Sequence, residues 1–141
     1  DLAGDVLEGA VARILDGEYR ADLKPIPGAG SVLRRIGEAT GRILMVTARP
    51  EPGPIELWMN QLLDGQHHRA RIVATGSFEA KTDVLLENGV KWFVEDRLET
   101  CHLIKAAGIV PVVFRQPWNR EPHDYLQVGS WQELERRIAF P

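Results

Sequence analysis

Cysteine is almost absent from this sequence, since Cys101 is the single one among 141 residues. One thiol excludes a disulfide within the chain and any zinc site built from several cysteines. Long hydrophobic runs are missing as well: the longest, from Ile109 to Phe114, is far shorter than a membrane-spanning helix. The sequence as given also shows no basic segment followed by an apolar one, the pattern of a signal peptide. We therefore expect a cytoplasmic protein with no membrane partner.

An excess of positive charge is missing too. Lysine and arginine total 17 and aspartate and glutamate total 20, which gives a formal net charge of −3. Proteins that bind a nucleic-acid backbone or an anionic membrane are usually basic. The charge therefore argues against a nucleic-acid polymer as the partner. The hydrophobic fraction of 44% is sufficient for one folded domain with a buried core.

Short apolar runs alternate with segments of helical periodicity along most of the chain. Continuous apolar runs of this length are typical of strands that are covered on both faces. Strands that alternate with helices indicate a parallel sheet, because parallel strands need a crossover connection. We predict an α/β fold, a Rossmann-like parallel sheet with helices on both faces. The predicted strands are 43–46, 71–74, 91–94 and 109–114, and the predicted helices are 31–39, 55–63, 81–87, 98–107 and 131–138.

Two details of this pattern carry further expectations. Asp5 to Leu15 has its apolar residues on one stripe at helical period, which predicts a helix there. Pro111 lies inside the last predicted strand, and proline has no N–H for the ladder. We therefore expect either that this strand lies at a sheet edge or that Pro111 lies near the start of the strand.

Polar residues follow the first two predicted strands. Thr47 and Arg49 end the first, and a hydroxyl and a planar guanidinium both suit a phosphate. Ser77 and Lys81 follow the second, with Lys81 at the start of a helix, where an anion would offset its unfavourable position. The alternatives are a strand-ending threonine, a solvated arginine and a surface lysine. Because ligands bind beyond the carboxyl ends of parallel strands, these residues are candidates for phosphate binding.

Adjacent carboxylates follow the third predicted strand. Glu95 and Asp96 come directly after an apolar run, and crowded carboxylates need a cation to stay ionised. Hard oxygen ligands of this kind suit Mg²⁺, which keeps several waters and recruits a phosphate. The alternative is an acidic turn paired with Arg97. The first interpretation predicts a metal site at Asp96 and Glu95.

A loop with an aromatic and an amide side chain follows the fourth predicted strand. Trp118 and Asn119 lie in this loop, at the same edge as the other candidates. An aromatic ring and an amide beside a phosphate site can hold a base or a sugar. The alternative, which we favour for Trp118, is that the side chain packs the loop onto the domain.

The order and spacing of these segments resemble the haloacid dehalogenase-like (HAD-like) hydrolases, and most closely the bacterial branch of the 5'(3')-deoxyribonucleotidase family. The resemblance implies that Thr47 and Lys81 contact the transferred phosphoryl group. It also implies that Glu95 and Asp96 hold Mg²⁺, with Asp96 as the direct ligand. The segments that carry it are 25–30, 43–50 (ILMVTARP), Lys81, 93–97 (FVEDR) and 114–120 (FRQPWNR).

The family's first motif, a strand ending in Asp-x-Asp-Gly, has no counterpart in this sequence. Only Asp1-Leu2-Ala3-Gly4 approaches it, with Ala3 at the second aspartate and no strand before it. We therefore expect residues 1–24 to be a helical remnant of a small cap and residues 25–141 to be the HAD-like core. A missing strand would leave a gap in the middle of the sheet. Either the sheet closes differently, another chain fills the gap, or the sequence is part of a longer protein.

Two functions of different class follow from these residues. The first is an Mg²⁺-dependent phosphomonoester hydrolase of the HAD type with a small phosphorylated substrate, for which the resemblance implies nucleotides. In that family an aspartate attacks phosphorus and forms an aspartyl-phosphate that water cleaves. The second is an inactive HAD-like domain that binds phosphate or a partner. A dinucleotide-binding module is disfavoured, because no Gly-x-Gly-x-x-Gly follows a predicted strand.

Overall fold

The structure is a computed structural model that describes residues 9–12, 28–40, 43–48, 50, 51, 56, 63, 65 and 70–138. The strands within these ranges are β1 Gly9–Ala12, β2 Ile43–Thr47, β3 Ala70–Ala74, β4 Trp92–Glu95, β5 Val110–Phe114 and β6 Leu126–Val128. The helices are α1 Ala29–Thr40, α2 Ala80–Glu87, α3 Leu98–Ala106 and α4 Trp131–Arg137, and a 3₁₀ turn covers Pro117–Asn119.

The strands form one six-stranded sheet in the order β3-β2-β1-β4-β5-β6. Every neighbouring pair is parallel. The predicted α/β fold with a parallel sheet is confirmed. Four of the strands and four of the helices lie where the alternating pattern predicts them. Of the predicted helix at 55–63, the structure describes Glu56 and Leu63, both helical, with Leu63 buried.

The middle of the sheet differs from the prediction. Gly9–Ala12 form β1, which lies between β2 and β4, so the predicted helix from Asp5 to Leu15 is wrong for these four residues. The facing N–H and C=O groups of β2 and β4 need partners, and an extended segment between them satisfies both strands. The strand expected to be missing from the middle of the sheet is therefore present, and the predicted gap is wrong. Residues 1–8 and 13–24 lie outside the described ranges, and the division of the chain at residue 24 stays a prediction.

Helices cover both faces of the sheet, because strand side chains alternate in direction. On one face, α1 and α4 pack against Ile43, Met45, Trp92 and Val94. On the other face, α2 and α3 contribute Leu85 and Ile104, which pack with Leu44, Val46 and Phe93. The result is a three-layer domain with the sheet in the centre.

Strand β6 was not predicted. Its presence decides between the two explanations for a proline in β5, an edge strand or a place near the start of the strand. β6 pairs with Val112–Phe114 of β5, so β5 is an inner strand and the edge-strand alternative is wrong. Pro111 is the second residue of β5 and precedes the stretch that pairs with β6. The early-strand alternative is confirmed. Within the described part of the chain, no helix is long and apolar enough to cross a membrane.

Two neighbouring leucines of α2 provide a test of this packing. Leu85 is 0% exposed and Leu86 is 52% exposed. We expect Leu85→Ala to lower the free energy of unfolding by about 2–5 kcal/mol, because it removes packing and leaves a cavity. The matched change Leu86→Ala should cost less than about 1 kcal/mol. Urea unfolding of both variants measures the difference, and equal losses would contradict the assigned face of α2.

Candidate active site

The direction in which the strand order proceeds reverses at β1, and this creates a topological switch point at the carboxyl edge of the sheet. The chain continues from β2 outward to β3 on one side and from β4 outward to β5 and β6 on the other, with β1 between them. Open parallel sheets bind their ligands at this kind of position. Two of the predicted site residues, Thr47 at the end of β2 and Asp96 just after β4, flank it.

The strand register sets Thr47 and Asp96 at one level. Val11 of β1 is the register partner of both Met45 and Val94. Thr47 and Asp96 each lie two positions beyond these partners. Neighbouring strands are about 4.8 Å apart, so the two backbones are separated by about 10 Å, with β1 between them. Thr47 and Asp96 therefore lie on opposite sides of the carboxyl end of β1, at the same level of the edge.

Helix α2 carries Lys81 to the same edge. Lys81 and Leu85 are four residues apart and share the inward face of the helix, and Leu85 packs with Phe93 of β4. One helical turn from Leu85 to Lys81 and two strand residues from Phe93 to Glu95 both advance about 6 Å. The two charged groups therefore meet, and Lys81 Nζ lies 3.0 Å from Glu95 Oε2.

This ion pair is fully buried. The side chains of Lys81 and Glu95 are 0% and 2% exposed. The alternative of a surface lysine in water is therefore wrong. Glu95 forms its ion pair with Lys81 and not with the guanidinium of Arg97, so the alternative ion pair of the acidic turn is wrong for Glu95. The other oxygen of Glu95, Oε1, accepts hydrogen bonds from the backbone N–H of Asp96 at 3.1 Å and of Arg97 at 3.3 Å. Glu95 thus neutralises the lysine and holds the turn after β4.

Asp96 is 6% exposed and begins this turn. Within the described ranges, no group of three or more histidine, cysteine, aspartate or glutamate residues could enclose a metal ion. Mg²⁺ does not need such a group, because it is commonly bound through one or two carboxylates, with water and phosphate completing the coordination. The donor chemistry of Asp96 fits such an ion. Glu95 fits less well, because both of its oxygens already have hydrogen-bond partners.

Thr75, which the sequence did not single out, supports the end of β2. Thr47 is 1% exposed, and its carbonyl accepts a hydrogen bond from Thr75 N at 2.9 Å, with the Thr75 hydroxyl 3.0 Å away. Ser77 Oγ accepts a hydrogen bond from Ala80 N at 3.2 Å. Ser77 therefore lies at the start of α2, between Thr47 and Lys81 along the chain. Arg49 lies outside the described residues.

Phe78 is, after Thr75, a second residue near the site that the sequence did not indicate, and Arg97 packs on its ring. The guanidinium of Arg97 lies 3.8 Å from the centre of the Phe78 ring, and Lys81 Nζ lies 5.8 Å from the same ring. Arg97 also donates to Thr100 Oγ1 at 3.1 Å and lies 3.7 Å from Glu99. No local pattern connects a phenylalanine and an arginine so far apart in sequence, so only the folded chain shows this contact.

The loop after β5 brings Trp118 and Asn119 to the same edge. Asn119 is 1% exposed. Its side-chain oxygen accepts a hydrogen bond from the backbone N–H of Gln116, and its side-chain nitrogen donates to the backbone carbonyl of Asp96. Trp118 donates from Nε1 to the carbonyl of Asp96 at 3.2 Å, although 46% of the residue is exposed. These contacts fix the loop to the domain, as the packing alternative predicts, and leave part of the indole ring open to solvent.

Cys101 lies beneath the acidic turn and is 0% exposed. Burial raises the pKa of its thiol far above the usual range, and the negative charges of Glu95 and Asp96 raise it further, while Lys81 lowers it. The thiol is therefore protonated at neutral pH. A protonated, buried thiol is a poor nucleophile, so Cys101 has a packing role.

The comparisons with known proteins fit this geometry. The family model described as "5' nucleotidase, deoxy (Pyrimidine), cytosolic type C protein" matches residues 12–140. The chain belongs to this nucleotidase family. Membership confirms the resemblance to the HAD-like hydrolases and to their nucleotidase branch.

The curated relatives of this nucleotidase-family chain include two proteins named 5'(3')-deoxyribonucleotidase. One is from Bacillus subtilis (strain 168) and the other from Bacillus phage SPbeta. Each is 20% identical over 131 residues, which cover 91% of this chain and 70% of the relative. No solved structure is significantly similar to the chain.

The buried ion pair leads to a prediction about stability. We expect Lys81→Met to lower the free energy of unfolding by about 3–5 kcal/mol, because it leaves the Glu95 carboxylate buried without its partner. Lys81→Met combined with Glu95→Gln should cost less than the sum of the two single changes. Lys91→Met, at an exposed lysine, is the control. Urea unfolding measures the unaltered chain, the two single variants, the double variant and the control, and strict additivity would argue against a direct interaction.

The raised pKa of Cys101 leads to a prediction about pH. The unfolded thiol loses its proton near pH 8.5 and the folded one keeps it, so stability falls as the pH rises through this value. The slope from this group reaches about 1.4 kcal/mol per pH unit. Cys101→Ala should unfold with a shallower pH dependence between about pH 7.5 and about pH 9.5, as measured in urea. The same slope in both proteins would show that the thiol titrates normally.

Proposed function

We propose that this chain provides the phosphate- and metal-binding edge of an Mg²⁺-dependent phosphomonoester hydrolase that acts on a small phosphorylated substrate. The observation that carries the proposal is the convergence of Lys81, Glu95 and Asp96 at the switch point of the sheet. Its support is the family match over residues 12–140. The net charge of −3 agrees with a small anionic substrate held by a few local cations rather than with a polymer.

Lys81 and Thr47 are the proposed ligands of the phosphoryl oxygens. An ammonium group has three N–H donors, and the bond to Glu95 uses one of them. We propose that Lys81 keeps its bond to Glu95 and also donates to a phosphoryl oxygen. Because Lys81 is buried, a hydrogen bond from its ammonium group to a phosphoryl oxygen would form in a region of low dielectric constant, where it is stronger than in water. Arg49 and Ser77 stay predicted phosphate ligands.

Asp96 is the proposed metal ligand. A bound Mg²⁺ would neutralise the charge on the phosphoryl oxygens. The role of Asp96 is to present its carboxylate at a fixed place on the edge. Glu95, the second predicted ligand, is better suited to holding Lys81 and the backbone of the turn, since its oxygens are already engaged.

The proposed substrate is a deoxyribonucleoside monophosphate. The names of the two relatives supply this class, and the chain is only 20% identical to them. The exposed indole of Trp118 supports it independently, because an aromatic ring beside a phosphate site can stack on a nucleobase. Asn119 is less suited to direct contact, because its amide is buried and bonded to the backbone. A cytoplasmic location stays a prediction.

The second candidate is an inactive phosphate-binding domain. Strand β1, Gly9–Ala12, contains no aspartate or glutamate, and the family's first motif would place its nucleophile at the carboxyl end of this strand. A two-step hydrolysis then needs a nucleophile from outside this strand. Phosphate binding at Lys81 does not need one, so binding without turnover would distinguish this candidate.

Turnover of an aryl phosphate with added Mg²⁺ tests the first candidate. We expect Asp96→Asn and Lys81→Met each to reduce the rate by about 100-fold or more, because the first removes the charge of the proposed Mg²⁺ ligand and the second removes the ammonium group proposed to contact the phosphoryl oxygens. Asp83→Asn and Lys91→Met change exposed residues of the same types and should leave the rate unchanged. A deoxyribonucleoside monophosphate should be a better substrate than the aryl compound, with a lower KM.

Three results would change this assignment. Turnover that does not depend on Mg²⁺ or on Asp96 would contradict the metal role. Binding of inorganic phosphate that Lys81→Met weakens, without any turnover, would favour the inactive domain. No binding of phosphate or of Mg²⁺ would exclude both candidates.

A further inference from the structure

The backbone carbonyl of Asp96 accepts two side-chain hydrogen bonds from a single loop. Asn119 Nδ2 donates to it at 2.8 Å, and Trp118 Nε1 donates to it at 3.2 Å. Both donors come from the 3₁₀ turn that follows β5, more than twenty positions further along the chain. A carbonyl oxygen has two lone pairs, so these donors satisfy it completely.

Asn119 is built into this position from three directions. Besides the bond to Asp96, its Nδ2 donates to the carbonyl of Phe114 at 2.8 Å, and its Oδ1 accepts from Gln116 N at 2.9 Å. The residue is 1% exposed. The bonds to Phe114 and Gln116 would by themselves fix the loop to its own strand, β5. The bond to Asp96 reaches across to β4 and joins the two strands beyond the end of their ladder.

The peptide groups on both sides of Asp96 are therefore held. Its N–H donates to Glu95 Oε1 at 3.1 Å, and its carbonyl is held by the loop. β4 ends at Glu95, so the sheet itself does not restrain Asp96. With the backbone fixed at both peptide groups, the direction of the Cα–Cβ bond is fixed as well. The starting direction of the side chain that carries the carboxylate is therefore set by the backbone.

We propose that Asn119, assisted by Trp118, is a positioning residue that fixes the Asp96 carboxylate for Mg²⁺. This inference rests on the proposed metal role of Asp96. Neither side chain has to touch the ion. Partners that orient a metal ligand usually contribute about 10- to 100-fold to metal affinity. The loop also couples the exposed face of Trp118 to the metal ligand through a single indole N–H.

The inference is tested by binding of Mg²⁺ alone, measured by calorimetry on the full chain, with inorganic phosphate binding measured separately. We expect Asn119→Ala to weaken Mg²⁺ binding by about 10-fold or more. Trp118→Phe keeps an aromatic ring but removes the N–H together with part of the ring system. The bond from Asn119 to Asp96 is kept, so a smaller loss of about 3- to 5-fold is expected. Phosphate binding should change less than twofold in both variants, since Lys81 is untouched.

Asn88→Ala is the matched control. The Nδ2 atom of Asn88 also donates to a backbone carbonyl, that of Val84, at 2.8 Å. Asn88 lies at the C-terminal end of α2, whereas Lys81 and the candidate site lie at the N-terminal end. The change should lower the melting temperature without changing Mg²⁺ affinity. If Asn119→Ala does not fold, Trp118→Phe decides the question.

The outcomes separate the inference from the proposed function. Mg²⁺ binding that Asp96→Asn abolishes, and that neither Trp118→Phe nor Asn119→Ala weakens, would overturn the positioning role and leave the function intact. A lowered melting temperature with unchanged Mg²⁺ affinity would show that the loop is merely structural. Absence of Mg²⁺ binding by the unaltered chain would overturn the metal role of Asp96 and the inference together.

Discussion

The buried contact between Lys81 and Glu95 is the interaction on which the arrangement of the candidate site depends. Removing an ammonium and a carboxylate from water costs several kcal/mol for each ion, and only close pairing with further hydrogen bonds offsets that cost. Glu95 provides both, since one oxygen meets Lys81 and the other accepts the N–H groups of the following turn. A single carboxylate therefore connects helix α2, strand β4 and the turn that begins with Asp96.

The hydrophobic core determines where these charges lie. Leu85 of α2 and Phe93 of β4 pack in one cluster on the same face of the sheet. Lys81 is one turn from Leu85, and Glu95 has the same strand parity as Phe93. The apolar packing thus fixes the position of helix α2 along strand β4, and at this position Lys81 lies next to Glu95. The polar site is a continuation of the core toward the open end of the sheet.

Sequence reasoning predicted the parts of the fold and of the site that depend on local patterns. Strand ends can be located from short apolar runs, so Lys81 and Asp96 were assigned to one edge. The two acids could not be distinguished in this way, because only the folded chain shows which of them meets the lysine. Local periodicity also failed for β1, since the apolar stripe around Gly9–Ala12 fits a helix and the need of neighbouring strands for a partner overrides it. β6 is only three residues long and contains Gln127, too little for a recognisable pattern.

The indole of Trp118 gives the site a natural optical signal. Trp118 is 46% exposed, whereas Trp92 and Trp131 are 2% and 3% exposed in the interior. Exposed indoles emit at longer wavelengths and are accessible to collisional quenchers, and buried ones are shielded from both effects. A molecule that settles over the loop would blue-shift the emission of this ring and protect it from quenching. The other three tryptophans would emit as well: Trp92 and Trp131 from the interior, and Trp58 from outside the described residues. Trp118, which donates a hydrogen bond to the carbonyl of Asp96, is thus a fluorescent reporter of ligand binding at this edge of the sheet.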